Sequence, residues 1–509
     1  MRGFAGFLGA LALSLPAAAI AQVPDRPEMP MKAGEKLGDI DFLNSGNAAA
    51  QAPFLRGVKL LHNFEYAQAV KSFQEAEAAD PGFALAYWGE AMAHNYTLWA
   101  EQQPDDARAA LAKLGATPAD RAAKAKTPRE KAWLGAVEAL YGPGTKFERD
   151  VAYADKMDAL AKAYLEDVEA QVFDALATLG RSHGTRNEAN YLKAAAILEK
   201  LFPTHQHHPG VVHYMIHSYD DPSHAKLGLK AAMIYDKVAP ESPHALHMTS
   251  HIFLALGMWP ETVAANRRAI DLANSMMAAH HMSMDCGHGP DWLVYAELQR
   301  GQDPVEDIER CRKSALDAAT LANDKTVIGG EEEDADSLAD MLVRRGVETG
   351  KWDTAVSLPA GHHEYARFIL AYGRLLAARH DAKEATAALS DMRASRNAIA
   401  AALPKELPDE AQLLPWIDRA VAQGEAVEKL AAGQKDDGLK ALRAAAEAEQ
   451  SLPVVFGPPL MQKLSWEMLG DELLASGDKA DAAAAYRKAL AMAPGRRLST
   501  LGLARAEGP

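Results

Sequence analysis

SWEMLGDELLASGDKADAAAAYRKALAMAP, residues 465–494, decides the reading of the fold. It reads as two helices joined by a short turn, with Trp466, Gly470, Leu473, Gly477, Ala482, Tyr486, Ala489 and Pro494 in a fixed order of sizes. Each residue has a physical task. Gly470 and Ala482 let two helix backbones approach closely, Trp466 and Tyr486 fill the space between them, and Pro494 stops the second helix. The same register appears near the other end of the chain at Gly57, Tyr66, Ala69, Phe73, Ala76 and Pro81.

Between these two units the alternation of helix, short turn and helix continues. It weakens over residues 104–165 and 380–450. Alanine-rich runs such as Ala482–Ala485 favour helix because alanine gives up no side-chain entropy there. Aromatic residues are 7% of the chain and β-branched runs are scarce, which argues against a large sheet. The spacing resembles the tetratricopeptide-repeat superfamily over most of residues 51–503. That resemblance implies an all-α fold: a right-handed superhelical solenoid of antiparallel helix pairs whose first helices line a concave groove. It implies a scaffold for a peptide, protein or small-molecule ligand, and by itself no catalysis.

The histidines fall into the repeat register. HHPGVVHYMIHSYDD (207–221) contains His213 and His217, and SPHALHMTSHIFLALGMW (242–259) contains His247 and His251. Members of each pair are four residues apart, and each residue of the second pair follows its counterpart by 34 positions, one repeat length. Residues at i and i+4 stand one above the other on a helix, so each pair can grip one ion. Two such pairs on neighbouring first helices can close around a transition metal, and imidazole suits copper, zinc and iron. The competing reading makes them ordinary groove residues hydrogen-bonded to peptide or water. If Gly257 ends its helix as Gly477 does, Leu246, Ser250 and Phe253 take the packing positions, and His244 joins His247 and His251 in facing the groove. One repeat earlier Val212, Ile216 and Tyr219 take the packing positions. With Gly301 as the next helix end, His288, Asp291 and Tyr295 occupy the equivalent places. The groove is thereby centred on about residues 207–300.

Weaker candidates surround this core. His208, with His205 and His207, precedes the first pair in a polar turn; Asp220 and Asp221 before Pro222 read as a cap for the next helix. Glu90 and His94 lie one helical turn apart near Trp88, and His62 holds a comparable place in the first repeat. Met276, Met277, Met282 and Met284 with His280 and His281 would suit copper, or simply pack a helix end. Cys286 and Cys311 either form a disulfide or leave Cys286 to a soft metal. The stretches His208–Asp221, Pro243–Phe253, Ala86–Met92 and Gly457–Pro459 also resemble a histidine-rich subgroup of exported bacterial tetratricopeptide proteins, a resemblance that implies no reaction.

Residues 1–21 carry one positive charge at Arg2, an apolar run too short to span a bilayer, and small residues at Ala19 and Ala21. This is the pattern of a secretory leader cut after Ala21, and it implies export of the mature chain, to the periplasm if the source is a double-membrane bacterium. Residues 22–50, rich in Pro, Gly and Ala, read as a linker or loosely packed arm, and 504–509 as a tail. The formal net charge of -15 becomes -16 once Arg2 is removed, and without a basic stripe it argues against nucleic acid as a partner. Glu331–Asp334 reads as a solvated helix start. No transmembrane segment follows the leader, and no phosphate-binding glycine loop points to a nucleotide cofactor. Neither His-Glu-x-x-His nor Gly-x-Ser-x-Gly occurs. Three functions therefore compete: a scaffold with a metal in its groove, a metal-dependent enzyme, and storage or delivery of copper or zinc.

Overall fold

The computed structural model of the protein describes residues 36–183, 186–277, 284–321, 331–353, 356, 358, 363–402, 413–453 and 456–508. The leader expected at 1–21, and His280, His281 and Met282, lie outside them. Among the described residues the fold is all-α. Twenty-three α-helices are interrupted only by a 3-10 turn, Thr97–Trp99, inside a small hairpin in which Asn95–Tyr96 pairs antiparallel with Glu101–Gln102. None of the helices is long and apolar enough to cross a membrane. The chain divides into two compact units, one ending with the described residues at 277 and the other beginning at 284.

Consecutive helices pack as antiparallel pairs within each unit, and the same device locks both ends of the chain. The Phe73 ring of Tyr66–Ala79 fills the space a side chain would need at Gly57 in Ala48–His62 and at Gly89 in Ala84–Met92. In the second unit the Tyr486 ring of Lys479–Met492 does the same at Gly470 in Ser465–Ala475 and at Gly502 in Arg497–Glu507. Both sets repeat the order glycine, aromatic, glycine at sixteen-residue intervals. Turns end the first helices alike: Gly257, Gly301 and Gly477 all hold φ between 69° and 84°, two residues beyond helices ending at Ala255, Gln299 and Ala475. A side chain would be strained there, so glycine is the natural stop. In the weakly patterned stretch 104–165 local chemistry marks the helix starts instead. Thr117 with Asp120 and Thr145 with Glu148 form capping boxes.

Three boundaries differ from expectation. The array starts at Ala48 rather than 51, and the final helix runs to Glu507, so residues 504–507 are not a tail. Residues 36–47 are irregular but not loose. Phe42 is buried against Phe54, Trp88 and Trp133, and the backbone of Asp39 donates to His207 O. Lack of periodicity separates helix from non-helix; it does not report packing. Cys286 and Cys311 are joined as a disulfide inside the second unit, so Cys286 is not a soft-metal ligand. A helix does start at Glu331 in the acidic run, but Asp334 is buried.

Candidate metal centre

The two histidine pairs sit on Pro209–Ser218 and Pro243–Ala255, first helices of successive pairs in the N-terminal unit. Proline opens each helix where its missing N–H costs nothing, and a polar cap precedes it: His208 accepts from Val211 N, and Ser242 from Ala245 N. Two repeats in the same register therefore bring His213, His217, His244, His247 and His251 together. All five are buried, between 0% and 7% exposed. This corrects the open groove. The Phe64 ring, on the turn from His62 to Glu65, lies against His213, His217 and His244, and the Trp99 ring against His244, so these three line an enclosed pocket.

The hydrogen bonds fix where the ring protons lie. His213 Nδ1 is 2.6 Å from the carbonyl oxygen of His62, which only accepts, so Nδ1 carries the proton and Nε2 a bare lone pair. That lone pair faces His217 Nε2 at 3.1 Å and His244 Nε2 at 3.2 Å. One in-plane lone pair cannot accept two hydrogen bonds well, whereas a cation satisfies all three nitrogens together. For metal–nitrogen bonds of roughly 2.0–2.1 Å, adjacent ligand atoms lie about 3.0–3.4 Å apart. The observed spacings fall in that window, and the three nitrogens form one group able to hold an ion.

The second pair behaves alike. His247 Nδ1 donates to Asn266 Oδ1 at 2.6 Å, and Asn266 Nδ2 donates in turn to Thr262 O, which fixes the amide's orientation. His251 Nδ1 donates to the Asp220 carboxylate. Their Nε2 atoms then face one another at 3.1 Å. Burial lowers the basicity of His213, His217, His244 and His247. His213 and His247 fall to about 3, and His217 and His244 well below the usual value, with the neighbouring histidines adding repulsion. They are neutral at ordinary pH, the state a metal requires.

The cover over the pocket is strained. Phe64 holds φ 57°, a left-handed conformation uncommon for a bulky residue, and its ring lies 4.3 Å from that of His213 and 5.4 Å from that of His244. The buried Glu65 beside it accepts from Ser242 Oγ at 2.7 Å, placing a carboxylate at the N-terminus of the helix carrying His244.

His62 and His208 belong to a neighbouring but different arrangement. Tyr214 O–H donates to His62 Nδ1, while His62 Nε2 and His208 Nε2 both donate to the buried Glu169 carboxylate, at 2.8 and 3.2 Å. Burial pushes Glu169 up, but the two histidines outweigh it and hold the carboxyl at about 2. Burial also lowers His62, against the pull of Glu169. Although these three side chains are close enough to chelate, each histidine nitrogen already has a hydrogen-bond role. His62 is thus a positioning residue, aiming His213 through its carbonyl.

Other expectations fall outside the centre. Glu90 pairs with Lys113 Nζ at 2.7 Å, and His94 Nδ1 lies 2.7 Å from Gln103 Oε1, because the helix Ala84–Met92 and the turn after it bring both side chains toward residues 103–113. Asp291 and Tyr295 belong to the C-terminal unit, where they flank the buried Arg344: its Nε is 3.5 Å from Asp291, and its guanidinium lies over the Tyr295 ring. Asp221 does cap the following turn, accepting from Ser223 N and His224 N, but Asp220 turns to His251 instead. Sequence reasoning missed Asn266, Glu169, Phe64 and Glu65. Only Asp220, three residues after His217, offered a linear signal.

No family model and no curated protein matches the chain. Among solved structures it is similar to the APC/C hetero-tetramer Cut9–Hcn1 (TM-score 0.36, 12% identity, 92% of this chain and 78% of that one). It is also similar to the P58(IPK) TPR domain (0.21, 12%, 90% and 98%). A third likeness is to Naa15/Naa10 bound to HypK-THB (0.20, 11%, 90% and 66%). Likenesses this distant carry no argument about function.

Proposed function

We propose that this chain is an exported metalloprotein whose N-terminal helix pairs frame a transition-metal ion, zinc or copper foremost, bound by Nε2 of His213, His217 and His244. One observation carries the reading: with its Nδ1 proton given to His62 O, His213 points a single lone pair at two further imidazole nitrogens. The outer hydrogen bond sets the tautomer and strengthens the donor, as around bound metals generally. Burial beneath Phe64 suits a resident ion better than a stored one, since storage and delivery need ligands that exchange readily. Export is supported by the leader pattern at 1–21 and by the Cys286–Cys311 disulfide, which fits an oxidising compartment. The helix-pair frame leaves room for a protein-binding role as well, as the repeat resemblance implies.

A specific observation favours a metal-dependent enzyme as the second reading. Three protein ligands leave a coordination position for water or a small molecule, the arrangement of catalytic rather than structural sites.

Elemental analysis of protein exported to a bacterial periplasm without a His-tag tests the first reading. At least one equivalent of a first-row metal is expected, and His213→Ala/His244→Ala is expected to lose it while keeping its helical circular dichroism. A wild-type chain that takes up no metal, or equal content in both proteins, overturns it.

A further inference from the structure

We propose that the C-terminal unit carries a ligand site of its own, in which Arg344 and Asp291 bind a zwitterionic α-amino acid. Arg344, on the helix Glu331–Thr349, is 2% exposed, yet none of its side-chain nitrogens has a hydrogen-bond partner among the described residues. Asp291 faces it from the helix His288–Gln299. It is 3% exposed, and its Oδ1 likewise lacks a partner. The two groups come within 3.5 Å, Arg344 Nε to Asp291 Oδ1. At that distance their charges offset one another, but neither is satisfied as donor or acceptor.

Arginines that serve the fold look different in this unit. Arg496 is 1% exposed; its Nε donates to Glu467 at 2.8 Å, and its Nη2 to Gln462 O at 2.9 Å and to Glu467 at 3.1 Å. Arg345, next to Arg344 in the chain, reaches both oxygens of Asp303, at 2.6 and 3.1 Å. A second carboxylate near Arg344 is held away from it. Asp340 Oδ1 accepts from Gln462 Nε2 and stays 4.0 Å from Arg344 Nη2. Burying a guanidinium without acceptors is costly, and so is burying a carboxylate oxygen without a donor. Both costs fall at one place, as expected of groups reserved for a ligand.

The ligand's chemistry follows from what the two groups require. A guanidinium edge matches a carboxylate through two parallel N–H···O bonds. Asp291 Oδ1 requires a donor, which an ammonium supplies together with charge. These two requirements lie 3.5 Å apart, so the carboxylate and the ammonium have to be carried on one carbon. A peptide end offers one of those groups; a single α-amino acid offers both. Charge selects in the same direction. A lone anion would face Asp291 and Asp340, and a lone cation or metal ion would face Arg344, whereas a zwitterion leaves the balance unchanged. The Tyr295 ring supports the guanidinium, its centre 5.4 Å away. None of these residues belongs to the histidine cluster, so this site and the metal centre stand or fall separately.

The test is equilibrium dialysis of the full-length protein, made without a His-tag, against an equimolar mixture of radiolabelled proteinogenic L-amino acids. Amino acid released by denaturing the freshly purified protein is counted as well, so that a ligand already in place is included. About one equivalent is expected for the wild type, and none by either route overturns the site. Arg344→Lys keeps the charge but loses the fork, and Asp291→Asn keeps the shape but loses the charge. Each is expected to bind at least about tenfold more weakly. Undiminished binding by both would place the amino acid elsewhere and overturn the assignment. Excess acetate and excess methylamine, which carry one group each, are expected to leave the label bound; displacement by acetate as complete as by unlabelled amino acid overturns the zwitterion. Protein stripped of metal by a chelator is expected to bind the same amount, and loss on stripping would put the amino acid on the metal and overturn the proposal. The wild-type count and the acetate arm need no variant to fold.

Discussion

The carboxylate of Asp220, on the turn after one histidine helix, accepts the Nδ1 proton of His251 on the next. This one bond joins two repeats and turns Nε2 of His251 toward Nε2 of His247. It does two things that substitution can separate: it fixes the tautomer and it supplies negative charge. Asp220→Asn keeps an acceptor but loses the charge, whereas Asp220→Ala loses both. We expect the zinc affinity of the histidine cluster to fall by about 10–100-fold overall, with alanine the weaker binder. Competition with a chromophoric chelator measures this. Unchanged affinity in both variants would show that the carboxylate does not tune the site.

Phe64 makes an unusual prediction because its backbone and its ring pull in opposite directions. The ring closes the pocket over His213, but φ of 57° costs a non-glycine residue about 1–2 kcal/mol. Phe64→Ala keeps the strain and loses the packing, at about 3–5 kcal/mol. Phe64→Gly loses the same packing but accepts the left-handed backbone, so it is expected to be the more stable of the two by about 1 kcal/mol. Glycine more stable than alanine in urea denaturation is the signature. With the cover removed, chelators are expected to strip metal from both variants at least about tenfold faster; unchanged stripping would mean the ion leaves by another route.

The histidine register was legible because repetition writes it into the chain: a 34-residue offset puts equal positions on equal helix faces. The repeat ends were legible for the same reason, through Gly257, Gly301 and Gly477. What escaped was everything contributed once. Asn266 sits on a second helix, Phe64 and Glu65 on an inter-helix turn, and Glu169 in a stretch without a histidine of its own. No periodicity marks such residues, because their partners are set by tertiary packing. Phe42 shows the same limit, its burial fixed by Phe54, Trp88 and Trp133 rather than by any pattern in residues 36–47. Asp291 and Tyr295 erred in the other direction. Their register is right, since Gly301 ends their helix as expected, yet the C-terminal unit gives that face to Arg344.

The glycine and aromatic interlock predicts opposite effects for the same substitution at different helix glycines. A Cβ at Gly89 would lie 2.2 Å from the Phe73 ring, and one at Gly502 2.3 Å from Tyr486. Alanine there must push a buried ring, and a loss of about 1–3 kcal/mol is expected. Gly135, in the middle of Pro128–Leu140, has nothing within 4 Å of such an atom. Alanine at 135 is expected to stabilise by up to about 1 kcal/mol, through helix propensity alone. Urea denaturation of the three variants decides it, and a stable Gly89→Ala would mean the helices are not held at the spacing described.

The C-terminal unit carries a pH dependence unrelated to metal. Glu449 is fully buried; desolvation raises its carboxyl from 4.5 to about 7, although Oε2 accepts from Ser465 N at 2.8 Å and Arg496 pulls the other way. The folded protein therefore holds a proton there that the unfolded chain has released. Its contribution to stability is complete below pH 4.5 and is lost as pH rises through about 7. Glutamine has nearly the same shape and never ionises, so Glu449→Gln removes this loss. The two proteins are expected to be close in stability at pH 4.5 and to diverge above it, glutamine leading by up to about 3 kcal/mol at pH 8. Urea denaturation at those two pH values measures the gap. A gap that stays constant, or that favours glutamate at pH 8, would mean the carboxylate is already ionised at neutral pH, stabilised by Arg496 strongly enough to overcome its burial.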